Sequence, residues 1–425
     1  MYSDNMLVRK AFRFRVYPTQ EQLARLATWE GALRCLWNLG NEQRLVGLAR
    51  STAERHYYTA FDQINQLTEL RAEVPWLADV PRNVCAQLLV ELDKAWQRCF
   101  KKLALQPRWK KKGRDQVNIS EPHPKTWHIT GDVLHFPKLG EMKIVVHRPL
   151  EGTPKTCTLV REVDQWFAAI VCEIELPAPV AKVEPVVALD RGVANLLADS
   201  DGKLHENPRC LQASLQRLAH AQRVVARGKK GSNNQKTARI RVGKLHRKVR
   251  RQRNHVIHNL TAAYSKSHGT VVVEKLNIKN MAASATGSIE EPGTNVAAKS
   301  GLNRAILDSG WGMLVNCLRY KLAWSGGTLV EVPAAYSSQT CSACGATDAT
   351  SRLSQAQFRC TSCGHNEHAD INAAKVLKLR AVETTVNGCG GVSVGRPKKQ
   401  QLRVARRGTR SQGLGSSKAP AFRPG

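Results

Sequence analysis

The sequence predicts a multidomain α/β protein: a β domain interrupted by a helical block, then alternating strands and helices that carry a four-cysteine insert. Three observations predict it. Strand-like alternation at residues 10–17 returns at 119–180, with a helical pattern between. Apolar runs at Val186–Asp190, Thr270–Glu274 and Thr328–Val332 read as buried strands spaced by helical segments. Two Cys-x-x-Cys pairs, separated by 15 residues, punctuate the last third of the chain. With 425 residues there is room for roughly two to four domains.

The elements follow in order. Lys10-Ala-Phe-Arg-Phe-Arg-Val-Tyr17 alternates polar and apolar until Pro18, and Thr19 with Gln22 predicts a capping box opening a helix. From about 20 to 106 the pattern is helical. The stripes Leu23, Leu26, Trp29, Leu33, Leu36, Trp37 and Leu88, Leu89, Leu92, Trp96, Cys99, Phe100 read as core packing of a small bundle. Residues 107–118 form a basic linker around Trp109, with Lys110, Lys111 and Lys112 as candidate phosphate contacts. Short strands return to 180, and Pro179 and Pro185 bracket a linker. Residues 211–265 predict two long helices. Between Arg223 and Arg253 lie thirteen Lys/Arg and no acid. Such like charges repel unless counterions or phosphates relieve them, so Arg239, Arg241, Lys244, Arg247, Lys248, Arg250 and Arg251 are candidate nucleic-acid backbone contacts. Residues 280–300 are small and polar, a helix is expected near 302–324, and Ala369 restarts a helix. From 381 the chain is Gly-rich and basic, with nine Lys/Arg and no acid from Arg396 on, and is expected to form a disordered tail.

Charge narrows the function. Lys+Arg number 65 against 34 Asp+Glu, a formal net charge of +31. That excess calls for a polyanionic partner, nucleic acid before an anionic membrane. No apolar run approaches the ~18 residues of a transmembrane helix, and no apolar signal segment follows Met1-Tyr2-Ser3-Asp4-Asn5. A cytoplasmic, nucleoid-associated protein without membrane contact is expected. Eight of the twelve cysteines are scattered singly, which fits a reducing compartment.

Two motifs carry chemistry. Cys341, Cys344, Cys360 and Cys363 supply four sulfurs, the tetrahedral shell that Zn²⁺ prefers, and leave no place for a catalytic water. Gly345 and Gly364 permit the tight turn after each pair. His365 and His368 lie nearby but are not needed as ligands. Asp190 and Glu274 each end a buried strand, and Asp370 opens a helix. Three such acids resemble a carboxylate cluster at a sheet edge, suited to Mg²⁺ or Mn²⁺. Two such ions can support phosphodiester hydrolysis.

The strings Ser337-Ser-Gln-Thr-Cys341-Ser-Ala-Cys344-Gly345, Phe358-Arg-Cys360-Thr-Ser-Cys363-Gly364 and Ala369-Asp370-Ile-Asn-Ala-Ala374 resemble the C-terminal signature of the TnpB family, insertion-sequence proteins related to type V CRISPR nucleases. Val187-Ala-Leu-Asp190-Arg-Gly192, Val272-Val-Glu274-Lys-Leu-Asn277 and Phe12-Arg-Phe-Arg-Val-Tyr-Pro-Thr19 resemble its other motifs. The resemblance implies a RuvC-like RNase H domain (181–340 and 367–380) with a zinc-binding module (341–366). It also implies a β-barrel wedge domain (1–19 and 116–180) carrying a helical recognition domain (20–115), ahead of the 381–425 tail. It implies RNA-guided DNA cleavage next to a short adjacent motif, with Asp190, Glu274 and Asp370 catalytic, structural Zn²⁺ and catalytic Mg²⁺ or Mn²⁺. The implied partners are a guide RNA, target double-stranded DNA and the displaced single strand, and a monomer is expected. His368-Ala369 depart from the acidic-basic pair that many members carry before the last acid. A small CRISPR-associated nuclease, a silent guide-directed DNA binder and a DDE transposase are the competing classes.

Overall fold

In the computed structural model, which describes residues 5–50, 54–288 and 290–387, β1 (Asn5–Tyr17) buries Phe12, Phe14 and Val16 on one face and turns Arg9, Arg13 and Tyr17 to the other. Period-two alternation is what splits the residues in this way. Thr19 then opens α1 (Gln20–Ala49) as a capping box. Its hydroxyl accepts from the Gln22 N–H at 3.3 Å, and the Gln22 side chain accepts from the Thr19 N–H at 2.9 Å. The block continues through α2 (Ala60–Glu73), α3 (Pro75–Ala78) and α4 (Arg82–Phe100). Trp29 and Trp96 are buried, as core packing requires.

Six strands follow: β2 (Ile119–Glu121), β3 (His128–Thr130), β4 (Val133–Phe136), β5 (Gly140–Val145), β6 (Thr153–Glu162) and β7 (Gln165–Pro177). With β1 they form one antiparallel sheet in the order β2-β6-β7-β1-β5-β4-β3. The expected barrel is not closed by hydrogen bonds among the described residues, because β2 and β3 remain the two edges. The helices supply the reason. Phe12, Phe14, Ile119 and Ile144 from the strands share a single apolar core with Leu26, Trp29, Leu88 and Leu89 from α1 and α4. Helices cover the inner face, so closure is not needed to keep it dry.

A second sheet runs β10-β9-β8-β11-β12, from β8 (Val186–Asp190), β9 (Asn195–Asp199), β10 (Leu204–Glu206), β11 (Thr270–Lys275) and β12 (Thr328–Pro333). β8, β11 and β12 are parallel, and β9 is antiparallel to β8. The helices are α5 (Leu215–Arg227), α6 (Asn233–Ser267), α7 (Ile278–Met281), α8 (Val296–Ser309), α9 (Trp311–Ser325) and α10 (Ala369–Asn387). The helix expected near 302–324 is two helices, because Gly310 takes a left-handed φ of 67° between α8 and α9. On one face Val187, Leu189, Val271 and Val273 pack against Ile257 of α6 and Leu314 and Leu318 of α9. On the other, Ala188, Val272 and Val332 pack against Leu377 and Ala381 of α10. That contact corrects the expected start of the tail. Ala381 is buried and α10 runs on to Asn387; residues 388–425 lie outside the described residues. No helix among the described residues is long and apolar enough to cross a membrane.

The β6–β7 hairpin joins the two sheets' territories. Its tip, Glu162-Val163-Asp164, docks on α6. Val163 has a φ of 63°, an unfavourable region for a β-branched residue. The dock holds it there. Asp164 pairs with Lys244 and Arg247, each at 2.9 Å, and a Cβ at Gly243 would lie 2.9 Å from Val163 Cγ1. Gly243→Val should therefore lower stability by about 1–3 kcal/mol through overpacking, read as a fall in the thermal midpoint. An unchanged midpoint would show that the hairpin does not press on α6.

Candidate active site and cysteine centre

Parallel strands end at the same sheet edge, and the acids follow from that. Leu189 pairs with Val273 in the β8–β11 ladder, so Asp190 and Glu274 leave their strands side by side. The packing of α10 across Ala188, Val272 and Val332 brings its first turn, with Asp370, to the same place. Glu274 and Asp370 are both buried. The Asp190 carboxyl is pushed well above the usual carboxylate range, first by burial and then by the charges of Glu274 and Asp370. Glu274 is also raised, by burial, against the opposing charge of Arg191. Asp190 therefore lies close enough to both other acids to feel their charge.

Protein cations partly compensate them. The Arg191 N–H donates to Glu274 Oε1 at 3.4 Å, and its guanidinium donates to the Glu274 carbonyl. Arg352, from the loop between the cysteine pairs, donates to Asp370 Oδ1 at 3.3 Å, and Asn195 Nδ2 donates to Oδ2 at 3.3 Å. The three acids are more widely spread than the cysteines. Among the described residues, the four cysteines are the group of His, Cys, Asp or Glu ligand atoms that all lie within 4.8 Å of one another. Sequence reasoning missed Arg191, Asn195 and Arg352. Arg191 adjoins Asp190 and could have been flagged, but nothing in the spacing marks Arg352.

The cysteine centre is built from two like knuckles. Gly345 N–H donates to the Cys341 carbonyl at 3.0 Å, and Gly364 N–H to the Cys360 carbonyl at 3.1 Å. Both glycines have a φ of 77°. Sulfur–sulfur separations are 3.7 Å for Cys341–Cys363 and 3.6 Å for Cys344–Cys360. Four sulfurs ~2.3 Å from one ion form a tetrahedron with edges of about 3.8 Å, so the donor set fits Zn²⁺. The Cys363 N–H aimed at Cys360 pulls that thiol down to about 6, while, against the His365 N–H, the neighbouring sulfurs push Cys363 up to about 12. Neither histidine is needed. His365 lies 3.4 Å from Glu367, and His368 Nδ1 accepts from the Asp370 N–H at 3.2 Å. β13 (Gln357–Arg359) and β14 (Asn366–His368) form the hairpin carrying the second knuckle.

The ten basic candidates divide. Arg239, Arg241 and Lys248 are exposed on α6, and Lys111 and Lys112 are exposed in the linker. Lys110 is instead half-buried, its ammonium 4.3 Å from the Trp37 ring centroid. Lys244 and Arg247 pair with Asp164, and Arg250 and Arg251 with Glu162.

The fold and the site thus define an α/β protein whose three acids meet at a sheet edge and whose four cysteine sulfurs cluster within 4.8 Å of one another. Known proteins agree with that class. The family described as "Probable transposase" matches residues 169–285, which hold Asp190 and Glu274. "Cas12f1-like, TNB domain" matches 311–377, which hold the four cysteines and Asp370. A "Helix-turn-helix domain" matches residues 6–44, although here they form β1 and most of α1. The chain is 36% identical over 399 residues to "Putative RNA-guided DNA endonuclease InsQ" of Escherichia coli K12, covering 92% of this chain and 97% of that one. It is 30% identical over 418 residues to "Putative RNA-guided DNA endonuclease" of Streptomyces pristinaespiralis, covering 94% and 95%. Among solved structures it is similar to a Cas12f1–sgRNA–target DNA complex, at a TM-score of 0.44 and 14% identity, covering 87% of this chain and 98% of that one. The chain belongs to the TnpB family of insertion-sequence RNA-guided DNA endonucleases.

Proposed function

We propose that the chain is an RNA-guided DNA endonuclease of a bacterial insertion sequence that hydrolyses target DNA at Asp190, Glu274 and Asp370. The observation that carries this reading is the meeting of the three acids at one sheet edge, within a chain whose relatives bear that name over nearly their whole length. In this reading residues 181–340 and 367–381 form a RuvC-like nuclease domain. Residues 1–19 and 116–180 form the wedge, 20–115 the recognition domain and 341–366 a structural zinc module.

Divalent Mg²⁺ or Mn²⁺ held by the three carboxylates would supply an activated water and a counter-charge for the leaving oxygen. The chain's own residues do the rest. Asp190 and Glu274 hold fixed positions because their strands are buried on both faces. Asn195 and Arg352 orient Asp370. Arg191 holds Glu274 to the end of β11. Base pairing with the guide RNA supplies sequence specificity, so the protein needs cationic surface more than base-reading elements. The net charge of +31 meets that need.

The test is to purify the full chain, sequence the RNA that accompanies it, and offer a DNA library matching that RNA. Cutting that needs Mg²⁺ and is abolished by RNase is the expected result. Cutting that survives removal of all RNA, or strand joining in its place, would overturn the reading in favour of a DDE transposase.

A further inference from the structure

We infer that Arg13, Arg250 and Arg251, gathered by the buried carboxylate of Glu162, form a phosphate-binding seat for the guide RNA where the first sheet meets α6. The inference rests on the RNA-guided reading and names a site for its RNA partner. Glu162 accepts from Arg13 at 2.7 Å and from Arg251 at 3.1 Å, and also from Arg250. Its side chain is only 5% exposed, while those of Arg13, Arg250 and Arg251 are 45%, 56% and 53% exposed. The acid is therefore the hidden anchor, and the guanidiniums present their remaining edges outward. Each guanidinium has five donors, and two carboxylate oxygens satisfy few of the fifteen or so available.

Charge points the same way. Three cations on one anion leave an excess of two, which a purely structural cluster has no use for. Burial and the neighbouring Arg251 charge lower the pKa of Arg13, and burial with Arg13 and Arg251 lowers that of Arg250, so the repulsion persists beside Glu162. Phe167 fixes the arrangement from below: the Arg13 guanidinium carbon lies 4.0 Å from its ring centroid and that of Arg251 5.8 Å. Arg15 lies 5.4 Å from the same ring, and its buried Nε and Nη1 have no hydrogen-bond partner. Arg13, Glu162 and Arg250 line a cleft of about 770 Å³ between the hairpin and α6. Guanidiniums fixed at set spacing recognise phosphate bidentately. That geometry suits a folded RNA that stays bound. The exposed Lys111, Lys112 and Lys248 offer point charges rather than such forks.

The seat predicts a sign that simple electrostatics does not. Glu162→Gln raises the net positive charge by one, yet it should weaken RNA binding, because the arginines are no longer gathered. The probe is the RNA that accompanies the wild-type full chain, extracted, end-labelled and rebound to RNA-stripped protein between about 50 and 200 mM salt. The double variant Arg250→Lys/Arg251→Lys, at half-exposed positions, keeps the charge and loses the forks. It should bind about tenfold more weakly at nearly the same salt slope. Arg250→Ala/Arg251→Ala should also flatten the slope by about 1.5–2. Tighter or unchanged binding by Glu162→Gln, or wild-type affinity in the lysine pair, overturns the seat; the lysine pair still decides if Glu162→Gln fails to fold. Wild-type protein that carries no RNA overturns both the seat and the RNA-guided reading. RNA-bearing wild type with unaffected variants overturns the seat alone.

Discussion

Asp190→Ala should abolish DNA cleavage while leaving RNA and target binding intact, and Asp190→Asn should make the metal-free chain more stable than the wild type. In the proposed mechanism the first effect comes from losing a carboxylate that would help hold the catalytic ions. Metal stabilisation of phosphoryl charge contributes several kcal/mol, and ~4 kcal/mol is about 10³-fold in rate. The second follows from sign. Burial, Glu274 and Asp370 raise the Asp190 carboxyl above its unfolded value. A raised acid binds its proton more tightly when folded, so the associated stability is present at low pH. It is lost as pH rises from the unfolded range near 4 through the folded pKa. Asparagine does not ionise and avoids that loss. The midpoint without divalent ions should rise by a few degrees at neutral pH, and the gain should shrink toward pH 4. Thermal unfolding across pH, beside a single-turnover cutting assay, reads both effects. Undiminished cutting would remove Asp190 from the site. A lower neutral midpoint would mean that the carboxylates do not repel one another as closely as the fold implies.

Stripping the cysteine centre should be as severe by another route. Its apolar core is small: Phe358 and Ala369 with Cys341 and Cys360, and Ala346 packed on them. So little apolar surface does little to order a segment of this length, and the proposed zinc would supply the difference. Structural zinc contributes on the order of 10 kcal/mol or more in small modules. The module also reaches the acid cluster. Asn372 on α10 accepts from the Ser342 N–H at 2.9 Å and donates to the Thr340 carbonyl at 2.8 Å. Arg352 of the same module holds Asp370. Cys360→Ser, or a strong chelator, should therefore release about one equivalent of zinc and lose cutting that added Mg²⁺ does not restore. The main unfolding transition of the two sheets should persist. A zinc-free chain that cuts at the wild-type rate would separate the module from the chemistry.

Much of this is legible in the sequence. The Thr19–Gln22 capping box is local hydrogen-bond chemistry, and it forms as written. The runs at 186–190, 270–274 and 328–332 became strands because apolar stretches bounded by turn residues have few other ways to bury themselves. The cysteine spacing announced its centre because two residues between thiols let both reach one ion. Other features were hidden. Whether the first sheet would close depended on helices covering its inner face. The end of α10 depended on Ala381 finding the second sheet. Charge alone could not tell Arg250, tied to Glu162, from Lys248, exposed on the same helix.

By itself the sequence determined the local elements and the four clustered sulfurs, since each rests on spacing within one short segment. Only the tertiary structure decided which cations serve which acids, and that Arg352 reaches Asp370 from the cysteine module. The physical reason is that ion pairing and desolvation depend on distance in space. Residues 83 or 88 positions apart, such as Arg191 and Glu274 or Arg250 and Glu162, meet only when the sheets and α6 are packed.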